Sequence, residues 1–304
     1  MPDLHDLLVK TSRTFALSIP YLPDPTRHQV TVAYLLFRIA DTLEDAASWP
    51  KAQRVGALHD FAKLLGDRDP DAIQRLTTEW AAEVPIDHDG YQELMEEIPF
   101  VLDAYFELPD AARDIVQGHT VRTCVGMAEF VDRTADDGSL ELRDLEDLRQ
   151  YCYIVAGIVG ELLTDLFLLD RPALADAAAG LEARSRTFGE ALQLVNILKD
   201  ASFDATEGRS YLPKALDRDT VFNLARRDLE TSAEYIGLLQ RPGVEDGLVA
   251  FNSIQVLLAF ATLRIVEQKG PGAKISRLKV FNLVRRMEKT LERGEPVVDL
   301  IATV

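Results

Sequence analysis

Tyr34-Leu-Leu-Phe-Arg-Ile-Ala-Asp41-Thr-Leu-Glu-Asp45 is an apolar segment that carries two aspartates four residues apart. On an α-helix this spacing places both carboxylates on one face, with Arg38 one turn before Asp41. Residues 30–40 are apolar nearly all round, which is typical of a helix inside a core. An exposed helix face would leave the carboxylates in water, whereas a buried helix must point them into a polar cavity. The apolar neighbours favour the cavity.

A second polar stripe lies towards the end of the long helix predicted for residues 176–203. Its members are three, four and four residues apart, so they share one helix face: Gln193, Asn196, Asp200 and Asp204. The intervening residues are mostly apolar, so the argument for a polar cavity applies again. Two such stripes are harder to explain as solvated faces than one.

The formal net charge of the chain is -17, from 50 acidic and 33 basic residues. This charge argues against nucleic acid or an anionic membrane as a general partner. An anionic substrate would need a local cluster of cations or a bound metal. The chain contains two cysteines, Cys124 and Cys152, which are too few for a disulfide framework, so we expect a reducing, cytoplasmic setting.

The helical patterns run through the whole sequence, and no stretch alternates with period two for long enough to predict a strand. We therefore predict an all-α fold: a single domain spanning residues 1–304, a helical bundle around a central cavity. Its helices are predicted near 26–47, 51–66, 70–83, 90–107, 144–169, 176–203, 218–240, 244–267 and 276–292, with a break at Asp136-Asp137-Gly138. The longest clean apolar runs are shorter than the roughly 18 residues of a membrane span. We expect no transmembrane segment and no C-terminal anchor beyond Val304, which leaves a peripheral membrane contact open.

Three basic segments could serve an anionic ligand. Ser12-Arg13-Thr14 offers hydroxyls and a guanidinium, although a helix-capping segment is the commoner explanation of such a run. Gly208-Arg209 brings a cation near the end of the second stripe. The segment from Gln268 to Lys279 is the most basic stretch, and it fits either a solvated helix start or a site for a phosphorylated cofactor.

If the two stripes face each other, four aspartates converge with few cations to neutralise them. Ligands that are all oxygen favour Mg²⁺, which shares its coordination with substrate phosphate oxygens. We therefore expect a diphosphate contacted by Arg13, Arg38 and Arg209. Apolar helices beneath such a site suit a hydrocarbon tail, so the predicted ligand is a prenyl diphosphate. The matching chemistry is ionisation in a dry pocket.

These segments resemble the squalene and phytoene synthases, the head-to-head prenyltransferases, over nearly the whole chain. The resemblance is carried by the two aspartate-rich stretches and by Ser12-Arg13-Thr14-Phe15, Gly126-Met-Ala-Glu-Phe130, Tyr151 to Gly160 and Gly208 to Pro213. Within the family it leans to the squalene synthase branch, because of Asp41-Thr-Leu-Glu44-Asp45, Ala261-Thr-Leu263 and Lys274-Ile-Ser-Arg277. It implies the helical bundle of isoprenoid synthases.

The resemblance implies condensation of two farnesyl diphosphates through presqualene diphosphate, followed by reduction with NADPH. It also implies roles for individual residues. The expected metal ligands are Asp41, Asp45, Asp200 and Asp204, with Glu44 assisting. The expected catalytic residues are Tyr151, Arg38 and Tyr34, with Tyr151 the candidate for proton removal. The diphosphate ligands would be Ser12, Arg13, Arg38 and Arg209, and the cofactor-binding residues Asn196, Lys199, Lys274 and Arg277.

The sequence departs from the family at one position: Phe203 precedes Asp204, where family members generally have a glutamate. One metal would then be held more loosely, or Glu207 would replace the missing glutamate as a metal ligand. The alternatives within the scaffold are a phytoene, dehydrosqualene or presqualene diphosphate synthase without NADPH use. A terpene cyclase and a non-catalytic relative are less favoured. Ala156 and Gly160 fit either close helix packing or the floor of a channel for an apolar chain.

Overall fold

A computed structural model describes residues 3–46, 48–83, 88–135, 139–206 and 208–304 of the 304-residue chain. The chain divides into two compact units, each described below by itself. The first comprises Met1–Ile19 and Asp24–Gly138, and the second Pro20–Pro23 and Ser139–Val304. The single domain spanning 1–304 stays a prediction, as does its central cavity. The predicted break at 136–138 and the substitute ligand Glu207 lie outside the described residues.

The first unit is built around helix α3. Its helices are α1 (Leu4–Thr11), α2 (Thr14–Ser18), α3 (Thr26–Glu44), α4 (Lys51–Leu64), α5 (Pro70–Glu83), α6 (Asp89–Glu96), α7 (Ile98–Phe106) and α8 (Asp110–Asp132). A 3₁₀ turn, Ile19–Tyr21, follows α2 along the chain, and its last two residues are counted with the second unit. Helix α3 packs against α1, α4, α6, α7 and α8. Its leucines, isoleucine and alanines are almost completely buried, so the prediction of a helix inside a core is confirmed.

The helix predicted for residues 90–107 is wrong as one element, because α6 ends at Glu96 and α7 begins at Ile98. Pro99 lies in the first turn of α7. A proline has no amide hydrogen and its ring clashes with the carbonyl four residues earlier, so it starts a helix but cannot continue one. The ends of the other long helices agree with the sequence prediction to within three residues.

The second unit is built around the 29-residue helix α11 (Ala178–Thr206). Its other elements are β1 (Leu140–Glu141), α9 (Leu145–Cys152), a π-helical turn (Tyr153–Gly157), α10 (Ile158–Asp170), a 3₁₀ segment (Pro172–Ala177), β2 (Arg209–Ser210), α12 (Arg218–Leu239), α13 (Asp246–Lys269), α14 (Arg277–Glu292) and α15 (Val297–Ile301). Helix α11 contacts α9, α10, α12, α13 and β2. The strands pair in parallel, Leu140 with Arg209 and Glu141 with Ser210. Each strand has only two residues, which is too short to show a period-two pattern in the sequence.

The small residues between Tyr151 and Gly160 bring two helices into close contact. A Cβ built on Gly160 would overlap the backbone carbonyl of Ser185 on α11. Conversely, a Cβ on Gly189 of α11 would overlap the carbonyl oxygen of Ala156. Of the two interpretations of this strip, the described contacts support close helix packing.

Two helical stretches are long and apolar enough to cross a membrane by length and composition alone, Leu145–Asp170 and Asp246–Lys269. Within the second unit they pack against α11, and 56% and 78% of their most apolar windows are buried. A core helix passes the same test, so this finding is weak evidence for a membrane span. The expectation of no transmembrane segment stays a prediction.

Candidate active site

Three carboxylates lie at the C-terminal end of α3: Asp41 and Glu44 in its last turn, and Asp45 directly after it. The last turn contains no basic residue. The C-terminal end of a helix carries the negative end of the helix dipole, which disfavours further negative charge there. This end of α3 therefore favours a bound cation, and its oxygen donors are of the type that Mg²⁺ prefers.

Burial raises the pKa of Asp41 to about 6, with a further increase from the neighbouring charge of Asp45. Arg38 opposes this shift, since its guanidinium lies 3.4 Å from the Asp41 carboxylate. Because the folded pKa exceeds the unfolded value of 3.8, the contribution of Asp41 to stability is greatest below that pH and is lost as the pH rises through about 6. A bound cation would lower this pKa and keep the carboxylate ionised below pH 6 as well.

Arg38 is fixed by two tyrosines as well as by Asp41. Its Nε donates to the hydroxyl of Tyr34 over 3.3 Å, and its guanidinium lies 5.7 Å from the Tyr34 ring and 5.4 Å from the Tyr91 ring. Burial alone would lower the pKa of Arg38, but Asp41 and the tyrosines raise it overall. Arg38 is thus a charged donor held rigidly beside the carboxylates, as a diphosphate ligand requires. Sequence reasoning missed Tyr91, which lies on α6 and shows no local signal.

The N-terminal segment is attached to α3 through Tyr34. The Tyr34 hydroxyl donates to the carbonyl of Thr11 over 2.9 Å, and its ring lies 5.2 Å from the ring of Phe15. The Ser12 hydroxyl accepts a hydrogen bond from the amide of Phe15 in the first turn of α2, which is the kind of contact that the capping interpretation predicted, although the N-cap residue itself is Arg13. Arg13 is exposed at this turn. Tyr34 therefore brings the segment of Ser12 and Arg13 next to Arg38.

Glu44 is engaged with α4. Arg54 donates through Nε to the Glu44 carbonyl oxygen over 2.8 Å, and its guanidinium lies 4.0 Å from the Glu44 carboxylate. Both side chains are largely buried. Arg54 thus caps the C-terminal end of α3. Sequence reasoning did not identify this arginine. The role of Glu44 in assisting a metal stays a prediction, and the contact visible here is structural.

Asp200 lies on α11 beside two of the predicted cofactor residues. Lys199 Nζ is 3.0 Å from the Asp200 carboxylate and donates to the Asn196 side-chain oxygen over 3.4 Å. The amide of Gly272 donates to the Lys199 carbonyl over 2.6 Å. Gly272 has a φ of 83°, which a residue with a side chain rarely adopts. This bond attaches the segment that precedes Lys274 and Arg277 to α11 at Lys199, so the residues predicted to bind the cofactor belong to connected segments of the second unit.

Tyr151 is buried and stacks on Tyr211, with ring centroids 4.6 Å apart and an interplanar angle of 23°. Tyr211 directly follows β2, the strand that carries Arg209. The pairing of β2 with β1 fixes this segment. Tyr151, predicted to remove a proton, and Arg209, predicted to bind diphosphate, therefore lie on neighbouring segments of the second unit, and Tyr211 is the residue that stacks on Tyr151.

The predicted metal ligands belong to both units: Asp41, Glu44 and Asp45 to the first, Asp200 and Asp204 to the second. Over the described ranges, no group of three or more His, Cys, Asp or Glu residues is arranged to hold a metal ion. Asp204 is half-buried, and the preceding Phe203 is 63% exposed. The convergence of the two stripes on a shared metal site stays a prediction.

A buried ionic network in the second unit escaped sequence reasoning. Arg149 on α9 donates to Glu190 on α11 over 2.6 Å and to Asp228 on α12 over 2.8 Å. The Glu190 side chain is 2% exposed and also accepts from Arg186. Burial raises the pKa of Asp228, although Arg149 opposes the shift. Glu190 and Asp228 follow Arg149 by 41 and 79 positions, so no spacing in the sequence reveals their contacts with it.

Neither cysteine is arranged for metal binding or disulfide formation. Cys124 and Cys152 are both free and buried. Burial raises the pKa of Cys124 to about 12, and the nearby Asp41 adds to the shift. A neutral thiol is a poor metal ligand and nucleophile.

The chain matches known proteins over most of its length. The family model for squalene/phytoene synthase matches residues 8–241. A squalene synthase from Nicotiana benthamiana is 32% identical over an alignment of 314 positions, which covers 97% of this chain and 71% of that protein. The squalene synthase of Schizosaccharomyces pombe is 29% identical over 70% of this chain and 44% of that protein. The Botryococcus squalene synthase of Botryococcus braunii is 29% identical over 67% of this chain. That match spans only 40% of the Botryococcus braunii protein, so the chain covers less than half the length of several relatives.

Solved structures show the same helical fold. The structure of TcSQS with the ligand E5700 superposes with a TM-score of 0.77, at 24% identity, over 96% of this chain and 89% of that one. A dehydrosqualene synthase in complex with ligand superposes with a TM-score of 0.61, at 19% identity, over 95% of both chains. The all-α fold class and the family resemblance inferred from the sequence are confirmed, and the chain belongs to the squalene/phytoene synthase family.

Proposed function

We propose that this protein is a squalene synthase, which condenses two farnesyl diphosphates head to head and reduces the product with NADPH. The observation that carries the proposal is the C-terminal end of α3, where Asp41 and Asp45 lie at the negative end of the dipole beside the rigid Arg38. This combination suits Mg²⁺ and a diphosphate together. Family membership and the similarity to squalene synthases support the choice of reaction. The free cysteines fit a cytoplasmic setting.

The first step is the loss of diphosphate from one farnesyl diphosphate, with the C–O electron pair leaving on oxygen. Bound Mg²⁺ would neutralise the charge that develops on that oxygen. Asp41, Asp45, Asp200 and Asp204 would hold the metal, with Glu44 assisting. Ser12, Arg13, Arg38 and Arg209 would bind the diphosphate, and Tyr34 orients Arg38 through its hydrogen bond.

The double bond of the second farnesyl diphosphate then attacks the allylic cation. Closing the cyclopropane ring of presqualene diphosphate releases one proton. We assign its removal to Tyr151, whose phenol would take this proton while passing its own to the released diphosphate, so that the phenol stays neutral. Its burial and its stacking on Tyr211 hold the phenol in one orientation and keep water away.

The second step ionises presqualene diphosphate and rearranges the carbon skeleton. NADPH, when bound, supplies the hydride that quenches the final cation. Lys274 and Arg277 are exposed, and in the described ranges they form no ion pair, so their charges are available to a phosphate. Asn196 and Lys199 lie on the adjacent face of α11, where the Gly272 bond joins the two segments.

The decisive experiment incubates the purified protein with Mg²⁺ and farnesyl diphosphate, with and without NADPH, and identifies the products by mass spectrometry. We expect squalene only with NADPH, and presqualene diphosphate or the products of its loss of diphosphate without NADPH. Identical products in both tubes would instead identify a dehydrosqualene, phytoene or presqualene diphosphate synthase. No consumption of farnesyl diphosphate would indicate a non-catalytic relative.

Lys274→Ala is expected to impair the NADPH-dependent step alone. Losing a hydrogen bond to a charged phosphate costs about 1.5–3 kcal/mol, so the KM for NADPH should rise by about tenfold or more. Presqualene diphosphate should accumulate while its formation continues at the normal rate. Lys289→Ala on α14 is the matched control, since Lys289 is also exposed and basic. Equal loss of both steps would contradict a cofactor role for Lys274.

A further inference from the structure

Helix α14 exposes an apolar surface on its outer face. Its inner face packs on α13 and α15 through Leu283, Met287 and Leu291. Leu278 and Phe281, one turn apart on the opposite face, are 68% and 56% exposed. With Phe203 on α11, they are the three most exposed large apolar side chains in the described ranges. The Gly272 bond to Lys199 connects α11 to the segment that leads into α14.

This apolar surface lies in the most basic part of an acidic protein. Between Glu267 and Glu288 the chain has six Lys or Arg residues and no Asp or Glu, against a net charge of -17 for the whole chain. Two of the six, Lys274 and Arg277, are assigned to the cofactor under the proposed function, so four remain in this segment. The guanidinium of Arg285 lies 5.6 Å from the ring centre of Phe281. Within the ranges that the structure covers, neither Lys279 nor Arg285 forms an ion pair. The positive charge around Leu278 and Phe281 is therefore not neutralised by the protein itself.

Large exposed apolar side chains flanked by lysine and arginine are the pattern of helices that lie in the interface of an anionic bilayer. A symmetric contact with a second copy would bring two basic surfaces together, which repel each other. We propose that the outer face of α14, formed by Leu278, Lys279, Phe281 and Arg285, docks on an anionic lipid bilayer. This inference goes beyond the proposed function, because it holds for whichever product the enzyme makes.

The test is co-sedimentation of the full chain with vesicles of phosphatidylcholine alone or mixed with phosphatidylserine. We expect binding to the mixed vesicles that weakens as salt is raised. Lys279→Gln combined with Arg285→Gln should weaken binding by about tenfold or more, since each removed charge costs severalfold. Leu278→Gln combined with Phe281→Gln should weaken it comparably through lost apolar burial.

The matched control combines Val9→Gln with Val125→Gln, which removes two exposed apolar side chains from the first unit. It should bind vesicles like the unchanged protein, and all variants should keep the same thermal midpoint by circular dichroism. Equal binding by the α14 variants, or no binding to anionic vesicles at low salt, would overturn the proposal. So would a dimer in solution that Leu278→Gln with Phe281→Gln dissociates, without any vesicle binding. None of these readouts depends on catalysis, so failure here is distinguishable from failure of the proposed function.

Discussion

Asp41→Asn and Asp200→Asn are each expected to lower turnover of farnesyl diphosphate by about a thousandfold or more. Metal ions contribute several kcal/mol to the stabilisation of charge in a transition state, and an amide cannot replace an anionic metal ligand. Asp41→Asn also removes one of the carboxylates crowded at the negative end of α3, so helix stability should not fall. Steady-state rates over a range of Mg²⁺ concentrations, with circular dichroism for helical content, measure both effects.

The matched controls are Asp67→Asn in the first unit and Asp176→Asn in the second, both at exposed positions. They should retain full turnover. Normal turnover in both Asp41→Asn and Asp200→Asn would contradict the proposed metal site. A selective loss in only one of them would show that the two stripes do not act as one site.

Gly189→Ala is expected to destabilise the second unit by about 3 kcal/mol or more. The added methyl group would overlap the Ala156 carbonyl and lie against the Gly157 backbone, so α11 and the π-helical turn would have to separate. Backbone atoms cannot move aside as a flexible side chain can, and overpacking of this kind typically costs 1–3 kcal/mol, occasionally more. Urea denaturation followed by circular dichroism gives the free energy of unfolding.

Gly118→Ala in α8 is the matched control. A Cβ at Gly118 meets no atom within 4 Å, and alanine is a better helix former than glycine by about 1 kcal/mol. This variant should therefore be equal to or more stable than the unchanged protein. A stable Gly189→Ala protein would contradict the close approach of the two helices.

Most helices could be predicted from the sequence because their signals are local. The apolar periodicity of α3 and of the helices after residue 144 marks their extents to within three residues. The spacing of Asp41 and Asp45, and of Asn196, Asp200 and Asp204, assigns each set to one helix face for the same reason. The split between α6 and α7 at Pro99 also had a local signal, which the apolar pattern on either side concealed.

The sequence by itself determined the all-α fold, the two carboxylate stripes and membership of the family, since periodicity and motif spacing are properties of neighbouring residues. Only the tertiary structure decided that Glu44 contacts Arg54, that Ala156 and Gly160 pack on α11, and that Arg149 joins Glu190 and Asp228. It also decided that Leu278 and Phe281 face outward. The physical reason is that contacts between distant segments depend on how helices pack, and helix packing is not encoded in the spacing of residues along one helix.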